Sequence, residues 1–268
     1  MISFEEALQS SDINLKSQFV EEYLSLLQRE QDLEMEYTPK VFNTPSYSSL
    51  CTIVDPKELP ARKHLHTPEG LAILLHSITH IEYSAIDLAL DAVYRFKEMP
   101  LEYKIDWIVV AQDEIRHYFM LEKLLNELGY VYGDFDVHCG LFDAATHTQG
   151  DILERMAIIP RYYEASGLDV NPQIIKKLEN RRKDPLVSKV INALNVIYEE
   201  EIDHVYKGDK WFKYIAHKRG LETQQAYMDI LDKYELLKKY RPHINVEARK
   251  EAGFSCEEIL NLGAKECH

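Results

Sequence analysis

The sequence predicts an all-α protein: a four-helix bundle with extra helices at its N- and C-terminal ends. Three observations predict it. Apolar residues recur at helical spacing through nearly the whole chain. Four long helical segments carry start and stop residues. No run of Val, Ile and Thr alternates with polar residues between turn signals, so little or no sheet is expected. At 268 residues, 46% hydrophobic and 28% charged, the chain has ordinary globular composition and can bury a substantial core.

Residues 15–30 read as a first amphipathic helix. A stretch punctuated by Pro39, Pro45, Pro56 and Pro60 follows, has no hydrophobic period, and is expected to wrap the main body. Together, residues 1–64 form an N-terminal appendage. The first long helix opens at Thr67-Pro68-Glu69, a capping threonine, a first-turn proline and an acid at the positive end of the helix dipole. It should run to about Lys97. Pro100 opens the second long helix and Gly129 closes it. The loop Tyr130–His138 is too long for a tight turn and long enough to cross from one end of a bundle to the other.

The third helix reads from about Gln149 to Ser166, kinked at Pro160 and stopped by Gly167. Asn171-Pro172 is expected to start a short helix ending in Lys176-Lys177 and Arg181-Arg182-Lys183. Pro185 begins the fourth long helix, which reaches about His217 before Gly220. Residues 65–218 thus make the bundle. Residues 219–268 make a C-terminal extension, with an amphipathic helix over 222–240 and one or two short helices after Pro242.

Charge and composition narrow the function. A formal net charge of −14 opposes nonspecific binding to nucleic acid, which needs basic surface. The one basic cluster, at 176–183, reads as a solvated helix end. No apolar run is long enough to span a bilayer; the stretch Leu71–Ile78 is broken by His76. The N-terminus Met1-Ile2-Ser3-Phe4-Glu5-Glu6 lacks the basic and apolar regions of a signal peptide, so a cytoplasmic location is expected. Cys51, Cys139, Cys256 and Cys267 have no CxxC spacing and are too few for a disulfide framework; they read as free thiols, and His138-Cys139 as no ligand pair.

Two Glu-x-x-His strings, Glu114-Ile115-Arg116-His117 and Glu201-Ile202-Asp203-His204, carry the chemistry. With 28 glutamates and 11 histidines such strings arise by chance, so placement decides. Glu114 and His117 share a helical face with Tyr103, Trp107, Val110, Ala111, Tyr118, Leu121 and Leu125. Glu201 and His204 lie among Val190, Leu194, Ile197, Tyr198, Val205 and Phe212. Glu82 precedes the first string among Leu75, Ile78, Ala85, Ile86, Ala89 and Val93, and Glu164 precedes the second at a comparable separation. Burying several carboxylates together costs several kcal/mol each unless cations accompany them. Two divalent ions balance four glutamates, and two neutral imidazoles complete the set. Residues i and i+3 point the same way, so each string can offer a carboxylate and an imidazole to one ion.

The third helix offers two candidates. Glu164 lies on the stripe of Leu153, Ala157 and Pro160 but in the last turn; Glu154 is better inside the helix but off the stripe. Asp113 and Glu200 each precede a ligand glutamate and are placed to accept the free ring N–H of the opposite histidine, the alternative being an exposed acid or intrahelical pair. Tyr118 and Tyr198 neighbour the two strings and read either as gating or electron-supplying groups or as core tyrosines. His76 and His80, with Asp87 and Asp91, form a stripe opposite Glu82 that reads as a polar face or helix contact.

The ligand order Glu82 … Glu114-x-x-His117 … Glu164 … Glu201-x-x-His204 resembles that of the ferritin-like superfamily of di-metal carboxylate proteins. Within it the chain is most similar to an uncharacterised bacterial ferritin-like family catalogued as a domain of unknown function. The strings that carry this resemblance are His80–Asp91 (HIEYSAIDLALD), Leu124–Asp134 (LLNELGYVYGD), Glu164-Ala165-Ser166-Gly167-Leu168-Asp169, His204-Val205 with Gly208 and Trp211-Phe212, and Asn245–Arg249 with Ala252-Gly253-Phe254. They span roughly residues 60–262. Glu164-Ala165 also resembles, more loosely, a Glu-Ala-Arg motif of tRNA-modifying di-iron hydroxylases; Ser166 stands where those have Arg. The resemblance makes Glu164 the third-helix ligand and names no substrate.

The first functional expectation is a di-iron oxidase or hydroxylase acting on a small molecule with O₂ and an external reductant, with Mn or mixed Fe/Mn as alternative metals, since the same N/O ligands serve all of them. A homo-oligomer is compatible with it. The second is a non-catalytic metal binder handling iron or peroxide; the N-terminal extension, the helices after 217 and the Tyr130–His138 loop argue against a storage cage. The third is a helical scaffold without metal.

Overall fold

The computed structural model describes residues 2–29, 37–60, 63–237 and 243–267. The protein is all-α: among the described residues there is no strand, only an isolated parallel bridge between Ile53 and Val137. The ends of the helices expected at 15–30 and 222–240 lie in part outside the described residues, as do Pro242 and His268. Among the described residues no helix is long and apolar enough to cross a membrane. The chain divides into two compact units, Met1–Asp143 and Ala144–His268.

The first unit is built on two long helices, α3 (Pro68–Arg95) and α4 (Leu101–Glu127), which pair along their lengths. Thr67 caps α3 by accepting the Gly70 amide at 3.0 Å, and Gly129 ends α4 with φ +86°. Two short helices cover the pair: α1 (Phe4–Gln9), which the sequence reading missed, and α2 (Ile13–Leu27). Helix α1 is set by a capping box in which Ser3 and Glu6 serve each other's backbone amides. Phe4 packs edge-on against Phe19 and Tyr23 at 4.8 and 4.9 Å, joining α1 to α2. Fully buried Lys16 bonds Asp87 of α3 at 2.5 Å and the Ala7 carbonyl at 2.8 Å.

The stripe opposite Glu82 is therefore interior. Neutral His80 accepts the Tyr132 hydroxyl at Nδ1 and donates Nε2–H to the His138 carbonyl, both at 2.9 Å. His76 Nε2 accepts the Gly133 amide at 2.9 Å. The segment 130–138 thus lies on α3, and it also pairs with the preceding loop through Val137, which bonds Thr52 and Val54.

Helix α5 (Gly140–His147), absent from the sequence reading, leads into the second unit. There α6 (Ile152–Ile158) passes into a π-helical turn, Ile159–Glu164, and then into α7 (Ala165–Glu179). This corrects the expected stop at Gly167 and restart at Asn171-Pro172. Pro160 has no N–H and displaces the carbonyl four residues back; a widened turn absorbs both effects and keeps the helix continuous. Pro172 likewise frees the Leu168 carbonyl, which accepts Asn245 Nδ2 at 3.2 Å instead. Gly167 stays helical on the surface, at a cost of about 1 kcal/mol relative to alanine.

The 34-residue α8 (Pro185–Lys218) is the spine of this unit, capped by Asp184 on the Leu186 and Val187 amides. Helices α9 (Thr223–Lys233), α10 (Val246–Glu251) and α11 (Cys256–Asn261) pack around it and α7. Contrary to the expectation of free thiols, Cys256 is disulfide-bonded to Cys267. The Ser255–Glu258 capping box starts α11 at Cys256, and Gly263, at φ +111°, turns the chain back to bring Cys267 alongside. Cys51 and Cys139 are free.

Candidate metal centre

In the first unit, α3 carries Glu82 and α4 carries Glu114 and His117. All three sit mid-helix on faces otherwise made of Leu, Ile, Val, Ala and aromatic residues, so pairing the helices buries them to 3%, 1% and 0% exposure. The i, i+3 spacing turns Glu114 and His117 to the same side. His117 Nδ1 lies 3.1 Å from Glu82 Oε2 and 3.3 Å from Glu114 Oε2. One ligand atom from each of the three lies within 4.8 Å of the others.

Burial alone would push the His117 ring below its ordinary value. Hydrogen bonds to Glu114 and Glu82, with their negative charges, overturn that and lift it to about 11. Without metal the ring is therefore an imidazolium set between two buried carboxylates. The buried anions call for a cation, and the proton on His117 answers. His117 would give up that proton if it ligated a divalent ion, since a ligating imidazole is neutral, and the two carboxylates would then be balanced by the ion. This cluster of two carboxylates and one imidazole, nearly free of solvent, is compatible with a divalent metal.

The second unit carries the other three candidates. Glu201 and His204 lie one turn apart on α8, with His204 buried, Glu201 half-buried, and His204 Nδ1 3.6 Å from Glu201 Oε1, too far for a direct hydrogen bond. Glu164 closes the π-turn, and one of its carboxylate oxygens is shut off from solvent. Its rival Glu154 faces α9 and the residues after it: its carboxylate takes Lys233 Nζ and the Tyr234 hydroxyl, each at 2.5 Å. Asp113 accepts Arg116 at 2.8 Å along α4, and Glu200 is half-buried on α8. The Tyr118 hydroxyl bonds Glu122 at 3.0 Å; that of Tyr198 accepts Asn245 Nδ2 at 2.8 Å.

Sequence reading missed the buried ion network next to Glu164. Arg161, fully buried in the π-turn, is ion-paired with Asp209 at 3.0 Å and hydrogen-bonds Glu258 at 2.6 Å, and its guanidinium lies 4.0–4.7 Å from the Tyr227, Phe212 and Phe254 rings. Arg249, also fully buried, holds Asp169 at 2.6 Å and the Ala165 carbonyl at 3.1 Å. The available signal was an arginine set at the end of the apolar run Met156-Ala157-Ile158-Ile159-Pro160.

An all-helical fold with a buried Glu/His cluster compatible with a divalent metal is the class of protein that this chain represents. It belongs to the family described as "Protein of unknown function (DUF455)", which matches residues 9–260. It is also 37% identical over 266 residues to an "Uncharacterized protein" of Haemophilus influenzae, covering 95% of this chain and 90% of that one. No solved structure matches the chain.

Proposed function

We propose that the protein is a ferritin-like di-metal carboxylate protein, an O₂-dependent oxidase or hydroxylase of a small molecule. Residues 65–218 form its four-helix bundle, and Glu82, Glu114, His117, Glu164, Glu201 and His204 are its ligands. The observation that carries this reading is the burial of Glu82 and Glu114 against His117, an arrangement that needs a cation and supplies only hard and borderline donors. The repeated Glu-x-x-His order on α4 and α8 supports extending the set to six. Iron is the metal of choice, with Mn or a mixed pair as alternatives. Such ions supply the electrons and the Lewis acidity that dioxygen reduction needs.

The chain's own part is to hold four carboxylates and two imidazoles in place and exclude water from them. The cost of gathering those anions is offset when the ions bind. Glu154, already committed to Lys233 and Tyr234, is the poorer third-helix ligand, which supports Glu164.

The test is anaerobic reconstitution of metal-free protein with Fe(II), followed by metal analysis and an oxygen-consumption assay with a chemical reductant. Two equivalents with reductant-dependent oxygen uptake are expected. Less than one equivalent sinks the metal reading. Two equivalents that consume oxygen or peroxide only until the iron is oxidised would favour an iron- or peroxide-handling protein instead.

A further inference from the structure

The π-turn that ends in Glu164 is held before and after that residue by different side chains from later in the chain. Before Glu164, Pro160 is seated on Gly208, where an added Cβ would lie 2.2 Å from the Pro160 Cβ. Next, Arg161 is locked by Asp209 and by Glu258 of α11, and its carbonyl accepts the Tyr227 hydroxyl at 2.9 Å. After Glu164, Arg249 of α10 takes the Ala165 carbonyl and both carboxylate oxygens of Asp169, at 3.1, 3.0 and 2.6 Å. Asn245 adds the Leu168 carbonyl through its side chain and Asp169 through its backbone amide, at 3.2 and 2.9 Å.

A π-turn has poorer hydrogen-bond geometry than the helix around it and would not by itself keep one conformation. A buried ion pair adds little dependable net stability, but breaking one leaves an uncompensated buried charge, so the two partners are held to each other. Here two such pairs, Arg161–Glu258 and Arg249–Asp169, flank the stretch that contains Glu164, one before it and one after it, and Asn245 adds to the second by bonding Leu168 and Asp169 of α7.

We propose that Arg161, Arg249 and Asn245 are positioning residues for Glu164, and that segment 245–258 is a clamp that fixes the third-helix carboxylate for metal binding. The inference rests on the reading of Glu164 as a ligand. The clamp acts through the Arg161 side chain in the π-turn and through Ala165, Leu168 and Asp169 just after it, and none of the three positioning residues needs to touch the metal. Arg249→Lys keeps the charge but cannot span Asp169 and the Ala165 carbonyl together.

The experiment titrates Mn(II) into metal-free full-length protein, wild type, Arg249→Lys and Asn245→Ala, below the melting temperature of each. Wild type is expected to take two equivalents. The variants should take the first at wild-type affinity and the second about tenfold to a hundredfold more weakly, the usual effect of losing a group that orients a ligand. A merely structural role would lower the metal-free melting temperature and leave both affinities unchanged in the folded protein; that result overturns the clamp. Should Arg249→Lys fail to fold, Asn245→Ala, at a half-buried position, carries the same test. If wild type itself takes fewer than two equivalents, the di-metal reading fails, independently of the clamp.

Discussion

Gly208 on α8 and Pro160 in the π-turn touch so closely that a methyl group at 208 would lie 2.2 Å from the proline Cβ and 2.4 Å from its Cγ. Both residues are buried, so neither has room to retreat. Gly208→Ala should destabilise the protein by about 1–3 kcal/mol, the usual cost of overpacking. A thermal melt checks this; a midpoint at or above that of wild type would show the seat to be loose.

Glu164 and Glu154 make opposite predictions on substitution. Glu164→Gln should lose the second equivalent of bound metal. Glu154→Gln should keep both and change stability by less than about 1 kcal/mol, because its partner Lys233 is largely exposed and such a pair is screened. Metal analysis of the two reconstituted variants decides. The reverse result would move the ligand to Glu154.

Burial lowers His76 and His80 from 6.5 to about 4 each. The unfolded chain therefore binds these protons first. The stability each contributes is complete above about pH 6.5 and is lost as pH falls toward 4, amounting to about 3 kcal/mol per residue. Imidazole nitrogen NMR should find both rings neutral at about pH 5.5, a pH inside that window. An imidazolium at either position there would contradict the burial argument, as would equal resistance to urea at the two ends of the window.

Four cysteines are present, of which Cys256 and Cys267 are bonded to each other. Denatured, unreduced protein should show two thiols, and four after reduction. Four before reduction would refute the bond. Replacing both bonded cysteines by serine should cost up to about 3 kcal/mol, the loop-closure contribution of a short cross-linked loop.

Much of the candidate centre was legible in the sequence because burial of a helix face is a local property. Glu82, Glu114 and His117 had to be buried once their neighbours at i±3 and i±4 were apolar, and Thr67, Pro100, Gly129 and Pro185 marked helix ends by local chemistry alone. The π-turn was not legible. Pro160 signals an interruption, but whether a helix kinks, stops or widens depends on what packs against it, here Gly208 and Tyr227. The same holds for His76 and His80. Their spacing marked a polar stripe, and only the return of segment 130–138 made that stripe interior.

By itself the sequence determined an all-helical chain, the limits of the helices at 68–95, 101–127 and 185–218 to within a few residues, and the burial of Glu82, Glu114, His117 and His204, since these follow from local periodicity and capping. Tertiary structure decided who meets whom: the two carboxylates on His117, the tail on the π-turn through Arg161 and Arg249, and Cys256 with Cys267. Those pairings join residues far apart in the chain, and nothing in a local pattern says which distant partner will offset the cost of burying a charge.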